Sequence, residues 1–382
     1  MRAARYQKLS DHLWCIDTEQ VRDALACCYL LGDGEHYAFI ECGTNEGVPR
    51  LLALLDELGI ARSQVSHVVP THIHLDHAGG AGLLMRELPE AQLVVHPRGA
   101  RHMIDPTALA KGVAAVYGEE RAAEMYGELL PVPEARVRAA ESGESIAVGE
   151  RVLEVMDSPG HAKHHFSLWD EATRSWFTGD TFGLSYRELD RDGAAMVMPT
   201  TTPVHFDPDA WKATIDAYMA REPAYMHLTH YCRVDEIARL ADDLRQGLDD
   251  YVAIARSLKD SPSRHEALVD ALAAHAVGAA QRHGAPLAEQ AVRDLLAHDI
   301  ELNAQGLGVW LDREAARSAV RSRRFWRCRW AAASSATSVI SQPARSRCCA
   351  RVSPSMPWSP LPIPIRRCVR GWKPCATRAP SP

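Results

Sequence analysis

The sequence predicts an α/β fold followed by a helical extension, and three observations carry that prediction. Strand-length apolar runs alternate with helix-length segments up to about His230. Beyond it a 3.6-residue period takes over. The densest group of metal-competent residues stands directly behind a β-branched run that stops at Pro70. The chain has 382 residues, enough for a large core and more than one unit. Its 46% hydrophobic and 24% charged residues are an ordinary globular balance, which excludes wholesale disorder. No run of about 18 apolar residues occurs, so neither a spanning helix nor a membrane partner is expected.

Residues 13–15, 26–31 and 37–41 read as short strands, with the turn signal Gly32-Asp33-Gly34 between the last two. A helix follows over residues 47–58, with Val48, Leu51, Leu52, Leu54, Leu55 and Leu58 on its apolar positions and Gly59 as its stop. Residues 65–69 form a strand. A helix from about Gly82, an extended 93–95, a helical stretch over 106–129 and strands at 151–156 and 165–169 continue the alternation. Then Val234, Ile237, Leu240, Ala241, Leu244, Leu248, Tyr251 and Ile254 keep a helical period, and shorter helices continue to about Trp310. The expected organisation is a catalytic domain over 1–232, a helical cap or dimer contact over 233–312, and a tail over 313–382.

The net charge of −6 conceals two different chains. From Arg313 onward there are 15 Lys and Arg against one acid, Glu314, while the first 312 residues hold 28 bases against 48 acids. Five of the ten cysteines also lie in the tail, beside runs such as Ser353-Pro354-Ser355-Met356-Pro357. A basic arm binds phosphate by counterion release. Here, however, Arg is mixed with Ala, Pro, Ser, Cys and Trp as in GC-rich codons read out of frame. The tail is therefore expected to be poorly ordered, outside the chemistry, and out-of-frame or readthrough in origin. The acidic body argues against a nucleic-acid partner. The first residues, Met1-Arg2-Ala3-Ala4-Arg5, lack the apolar stretch of a secretory signal, so reduced thiols and a cytoplasmic location are expected.

The chemistry concentrates after residue 69, at Thr71-His72-Ile73-His74-Leu75-Asp76-His77-Ala78-Gly79-Gly80. In extended backbone His72 and His74 point to one side and can hold one metal. Once the chain turns, Asp76 and His77 project onto a second position. The glycines allow the tight turn. Neutral imidazoles with carboxylate are the donor set of zinc, iron or manganese.

This segment resembles the signature of the metallo-β-lactamase-fold hydrolases, above all the branch containing glyoxalase II and related thioesterases and lactonases. The resemblance covers roughly residues 10–232 and implies a four-layer αβ/βα sandwich with a dinuclear metal site at one edge. Ser158-Pro159-Gly160-His161 resembles the third histidine motif, Phe177-Thr178-Gly179-Asp180-Thr181 the bridging carboxylate, and His227-Leu228-Thr229-His230-Tyr231 the last ligand. By that resemblance one metal takes His72, His74 and His161, the other takes Asp76, His77 and His230, and Asp180 bridges. His164 and His165 rival His161, which is preferred because it directly follows the Pro-Gly turn. His227 rivals His230, which is preferred as the more C-terminal. His205 is read as a loop residue that can line the pocket.

The resemblance implies two divalent ions, zinc first with iron or manganese as alternatives. A metal-bridging hydroxide would attack an ester, thioester or lactone carbonyl, with Asp180 and Asp76 as catalytic carboxylates and Asp76 also shuttling a proton. An aspartate at 180 speaks against the true β-lactamases, which place cysteine or no bridging acid there. The 49 residues between Asp180 and His230 leave no room for the inserted domain of nuclease members. A histidine at 74 and the absence of a flavodoxin module speak against the flavin-linked diiron relatives. The alternative reading is a mononuclear iron oxygenase acting on a persulfide, sharing His72, His74 and His161.

Phe182, Tyr186, Arg187, Tyr231 and Arg233 follow ligand motifs and are expected to rim the pocket for a small acyl substrate. The Lys/Arg-rich segment by which glyoxalase II grips glutathione has no counterpart near the C-terminal helices. Cys27 and Cys28 are read as core residues and Cys42 as a reactive candidate. No Gly-x-Ser-x-Gly elbow supports a serine hydrolase, and Gly79-Gly80-Ala81-Gly82 is no nucleotide loop, since no Gly-Lys-Ser/Thr follows.

Overall fold

In a computed structural model the apolar runs assemble into two mixed sheets packed face to face, with helices on both outer faces. The structure describes residues 4–201, 203 and 205–335. The chain divides into one unit up to Arg323 and a second from Arg324, whose described residues are the end of the last helix.

The first sheet runs β1 (Tyr6–Ser10), β2 (Leu13–Asp17), β3 (Cys27–Gly32), β4 (Tyr37–Ile40), β5 (Val65–Val69), β6 (Gln92–Val95) and β7 (Val137–Ala139) in that order. Its first four strands pair antiparallel and β4 to β7 pair parallel. The second sheet holds β8 (Ser145–Val148), β9 (Arg151–Asp157), β10 (Phe166–Asp170), β11 (Ser175–Gly179), β12 (Tyr225–Leu228) and β13 (Cys232–Val234). Only the pairing of β11 with β12 is parallel in this sheet.

Side chains alternate between faces at period two, and here both faces are buried, so the strands read as continuous apolar runs. In β3, Cys27, Tyr29 and Leu31 enter the layer between the sheets with Val69, Val94, Leu153, Phe166 and Phe177. Cys28 and Leu30 instead meet Leu51 and Leu55 of α1 (Val48–Leu58) and share that layer with α2 (Leu75–Ala78) and α3 (Ala81–Glu87). The helices α4 (Pro97–Ile104), α5 (Thr107–Tyr117) and α6 (Glu119–Tyr126) follow β6. On the far side Trp169, Trp176, Met226 and Leu228 pack under α7 (Pro208–Met219), α8 (Ile237–Ser257), α9 (Arg264–His283) and α10 (Glu289–Ser335). The result is the four-layer αβ/βα arrangement that the resemblance implies, with the helical extension that the period of the sequence predicts.

Several boundaries differ from the expectations. The stretch 106–129 is two helices, because Gly118 adopts φ +84° and breaks the run; α4 precedes it. The chain is not wholly helical after His230: β13 pairs with β12 before α8 begins and crosses the expected boundary at 232. Its Val234 falls on the period of α8 and so reads as helix. α10 continues through Asp312 to Ser335, and the tail beyond, 336–382, lies outside the described residues. Among the described residues no helix is long and apolar enough to cross a membrane.

Candidate metal centre

The parallel register of β4 and β5 places Ile40 opposite Val69, so Glu41 and Thr71 emerge side by side. The Phe166 amide donates to the Thr71 carbonyl at 3.0 Å, joining the second sheet to the same edge. At that edge β5 delivers His72 and His74, and α2 delivers Asp76 and His77. The turn before β10 delivers His161, the end of β11 Asp180, and the end of β12 His230.

Two groups of donor atoms result. In the first, His74 Nδ1 lies 2.8 Å from His72 Nε2 and 3.0 Å from His161 Nε2, and Asp180 Oδ2 lies 3.4 Å from His161 Nε2. In the second, Asp76 Oδ2 lies 3.2 Å from His230 Nε2 and 3.5 Å from His77 Nε2. Asp180 Oδ1 faces this group, 3.2 Å from His77 Nε2 and 3.8 Å from His230 Nε2. Ligands about 2.0–2.1 Å from a tetrahedral ion stand about 3.3 Å from one another, which is the spacing found in both groups.

The outward nitrogens are already engaged, which turns the lone pairs inward. His161 Nδ1–H donates to the Thr200 carbonyl at 2.9 Å and His230 Nδ1–H to the Leu25 carbonyl at 2.8 Å. His77 Nδ1 meets Glu41 Oε1 at 3.1 Å, and His72 Nδ1 meets Thr71 Oγ1 at 3.2 Å. His77 Nε2 and Asp180 Oδ1 are buried yet make no hydrogen bond. Orphaned atoms of this kind, in two ligand groups of fitting chemistry, are what a pair of bound cations satisfies.

The charges agree. Burial alone would push the Asp180 carboxyl up, but His77, His230 and His161 outweigh it and hold it well below the usual range. Burial pushes His72, His74 and His161 down, leaving neutral imidazoles. His77 and His230 are raised against their burial by Asp180 and Asp76.

A match to the metallo-beta-lactamase superfamily model spans residues 25–230, a stretch that contains every residue of the two donor groups. The chain belongs to the metallo-beta-lactamase superfamily. Among curated relatives, a beta-lactamase-like protein 2 homolog of Caenorhabditis elegans is 27% identical over 40% of this chain and 42% of its own. A hydroxyacylglutathione hydrolase of Methylobacterium sp. (strain 4-46) is 30% identical over 35% and 40% respectively. The matched region thus spans about two-fifths of the length of these relatives. A solved metallo-beta-lactamase family protein from Thermus thermophilus shares the fold, with a TM-score of 0.54 at 19% identity, over 76% of this chain and 95% of its own.

Within this superfamily fold the rival histidines take other places. His165 Nδ1 lies 2.7 Å from Ser158 Oγ, and its Nε2 accepts from the Asp180 amide at 3.3 Å, so it props the carboxylate. His227 stacks on Phe177 at 4.6 Å, beside Tyr29, and reaches Ser175 Oγ at 3.1 Å. Burial pushes His227 down to about 3, so its neutral form stabilises the fold fully above the ordinary histidine value and progressively less as pH falls toward 3. A His227→Phe variant should therefore show a shallower loss of stability between about pH 6.5 and about pH 4 in chemical denaturation. An unaltered slope would place the acid sensitivity elsewhere.

The residues expected to rim the pocket divide. Phe182 is fully buried in the core beneath the extension, so it is corrected to a packing residue. Arg233 turns away to the Leu9 carbonyl at 3.0 Å and over the Tyr225 ring, a correction with its own cause: β13 directs it along the sheet edge. Tyr186 is buried, donating to Asp299 at 3.1 Å under the Arg22 guanidinium. Arg187 donates to the Ser185 carbonyl at 2.7 Å and pairs with Asp190 at 3.2 Å. Tyr231 is half-buried, its phenol pushed up chiefly by burial. His205 lies 5.4 Å from His164, itself 5.4 Å from His74. Cys42 is buried, with its thiol donating to the His77 carbonyl and pushed well up by burial, which makes it a poor nucleophile.

Sequence reasoning missed Glu41. Its buried carboxylate accepts from the Thr71 amide at 3.0 Å, Thr71 Oγ1 at 2.6 Å and Thr229 Oγ1 at 3.0 Å, besides facing His77. The only available signal was an acid closing an apolar strand. Gly160 has φ +136°, and a Cβ there would lie 2.4 Å from Trp211 Cβ. Gly160→Ala should cost about 3 kcal/mol in urea unfolding; a cost below about 1 kcal/mol would show that α7 can retreat.

Proposed function

We propose that the chain is a dinuclear metal-dependent hydrolase that cleaves an ester, thioester or lactone carbonyl, with a small acyl thioester as the leading substrate class. The observation that carries this reading is Asp180, whose two oxygens face the two ligand groups, one each. His72, His74 and His161 would hold one ion and Asp76, His77 and His230 the other, with Asp180 shared. Zinc suits this nitrogen-rich set, and iron and manganese use the same donors. Bound there, the ions would polarise the carbonyl oxygen and lower the pKa of coordinated water.

The chain itself supplies orientation and proton handling. The Thr200 and Leu25 carbonyls fix the His161 and His230 rings, so the donor geometry exists before substrate arrives. Asp76, with 26% of its side chain exposed, is the most open of the carboxylate ligands and is placed to pass a proton to the leaving group. The hydroxyacylglutathione hydrolase among the relatives supports the thioester class.

Metal analysis by plasma mass spectrometry on protein purified without chelator should give about two ions per chain, and chelation should remove thioester hydrolysis reversibly. One iron per chain with an empty Asp76/His77/His230 group would instead support a persulfide oxygenase.

A further inference from the structure

Three segments distant in sequence bring cations to the side of the centre held by His72, His74 and His161. The start of α4 packs on the ligand loop, since a Cβ on Gly99 would lie 2.7 Å from Ile73 Cγ2, between His72 and His74. Arg98 therefore rides beside that loop. Lys163 stands two residues beyond His161. The Asp207 amide donates to the Gly160 carbonyl at 2.9 Å, which draws the following segment against the same turn. There Phe206 and Asp207 line a hollow of about 170 Å³ together with Trp310, Arg313 and Arg317 of α10. His164 and His205 occupy the space between, linking this basic edge to His74.

The positive charges feel one another. Burial first, then Lys163, Arg313 and Arg98 push His205 down to about 4, so three of the cations reach the same imidazole. The neighbouring acids serve elsewhere. Of the acids on that hollow, Asp207 caps α7 through the Ala210 amide, Asp209 stands in the first turn of α7, Asp249 pairs with Lys212 and Glu314 pairs with Arg256 at 2.9 Å, while Asp157 nearby faces His96 at 3.5 Å. Among the described residues Arg98, Lys163 and Arg317 form no ion pair. With Arg98, Lys163 and Arg317 outside any ion pair, cations gathered this closely favour a bound anion. On an acid-rich body such an edge also steers anions to the site.

We propose that Arg98, Lys163 and Arg317, with Arg313, anchor phosphate groups on the thiol half of the substrate, so that the preferred substrate is an acyl thioester of a phosphate-bearing thiol. This rests on the hydrolase reading and adds the substrate class. Arginine forks match phosphate oxygens in pairs. A glutathione thioester offers two carboxylates offset by an ammonium, whereas a coenzyme A thioester offers several negative charges, which suits a cluster of three unpaired cations better.

The test compares one acetyl group on coenzyme A, on glutathione and on neutral N-acetylcysteamine, with the metal-loaded full chain. The coenzyme A thioester should lead the neutral one by about tenfold or more in kcat/KM, through KM, and the lead should shrink in about 0.5 M salt. In the double variant Arg98→Gln, Lys163→Gln that selectivity should collapse to within about threefold. Equal kcat/KM on all three carriers, or a lead for glutathione that the variant keeps, would overturn the cradle. Calorimetry with free coenzyme A separates the two readings. Salt-sensitive binding lost in the double variant, with no thioester hydrolysed, supports the cradle and rejects the hydrolase; absence of binding rejects the cradle whatever the turnover.

Discussion

Asp180→Ala should strip metal from both ligand groups at once and lower kcat/KM by on the order of a thousandfold or more. The reason lies in the two oxygens, one 3.4 Å from His161 Nε2 and the other 3.2 Å from His77 Nε2. Removing a ligand of a single ion would spare its neighbour, but removing a shared one leaves both short of negative charge. Metal content and turnover measured on the same preparation decide the matter. A variant retaining two ions and full turnover would show that Asp180 does not bridge.

Glu41→Ala should be the most damaging change to stability near the centre, at about 3–5 kcal/mol in urea unfolding. The carboxylate is buried and receives the Thr71 amide, the Thr71 and Thr229 hydroxyls and the His77 ring. Alanine leaves these buried donors without their acceptor. Because Thr71 Oγ1 in turn meets His72 Nδ1, one acid orients a ligand of each group. Metal affinity should therefore fall by about 10–100-fold even in Glu41→Gln, which keeps the volume and one carbonyl acceptor. A Gln variant with unchanged affinity would reduce Glu41 to a packing role.

The contrast between these two residues shows what a sequence makes legible. Local geometry at a strand end is enough to group His72, His74, Asp76 and His77, whereas Asp180 is reached only through the family resemblance of its Thr178-Gly179-Asp180-Thr181 motif. Glu41 is a single acid after an apolar strand, and its importance arises only when β4 and β5 pair in register and Thr229 arrives from the other sheet. Fold class was similarly readable from alternation and period. The three-residue β13 was not, because Val234 also satisfies the helical period. Phe182 and Arg233 were misread for a related reason: proximity to a ligand in sequence does not specify the side to which a strand end turns its neighbours. The basic edge was invisible because Arg98, Lys163 and Arg317 share no local pattern.

One contact of the extension reaches further than packing. The Asn303 side chain of α10 accepts from the Thr201 amide at 2.5 Å, and its backbone carbonyl accepts from Thr201 Oγ1 at 3.0 Å. The preceding residue, Thr200, is the one whose carbonyl fixes His161. The last helix is thus tethered to a ligand through two adjacent peptide units. Damage to α10 would therefore disturb the His161 ring as well as the core beneath the helix. For the same reason, exchanging this extension for another would mean rebuilding the ligand geometry as well as the roof above it.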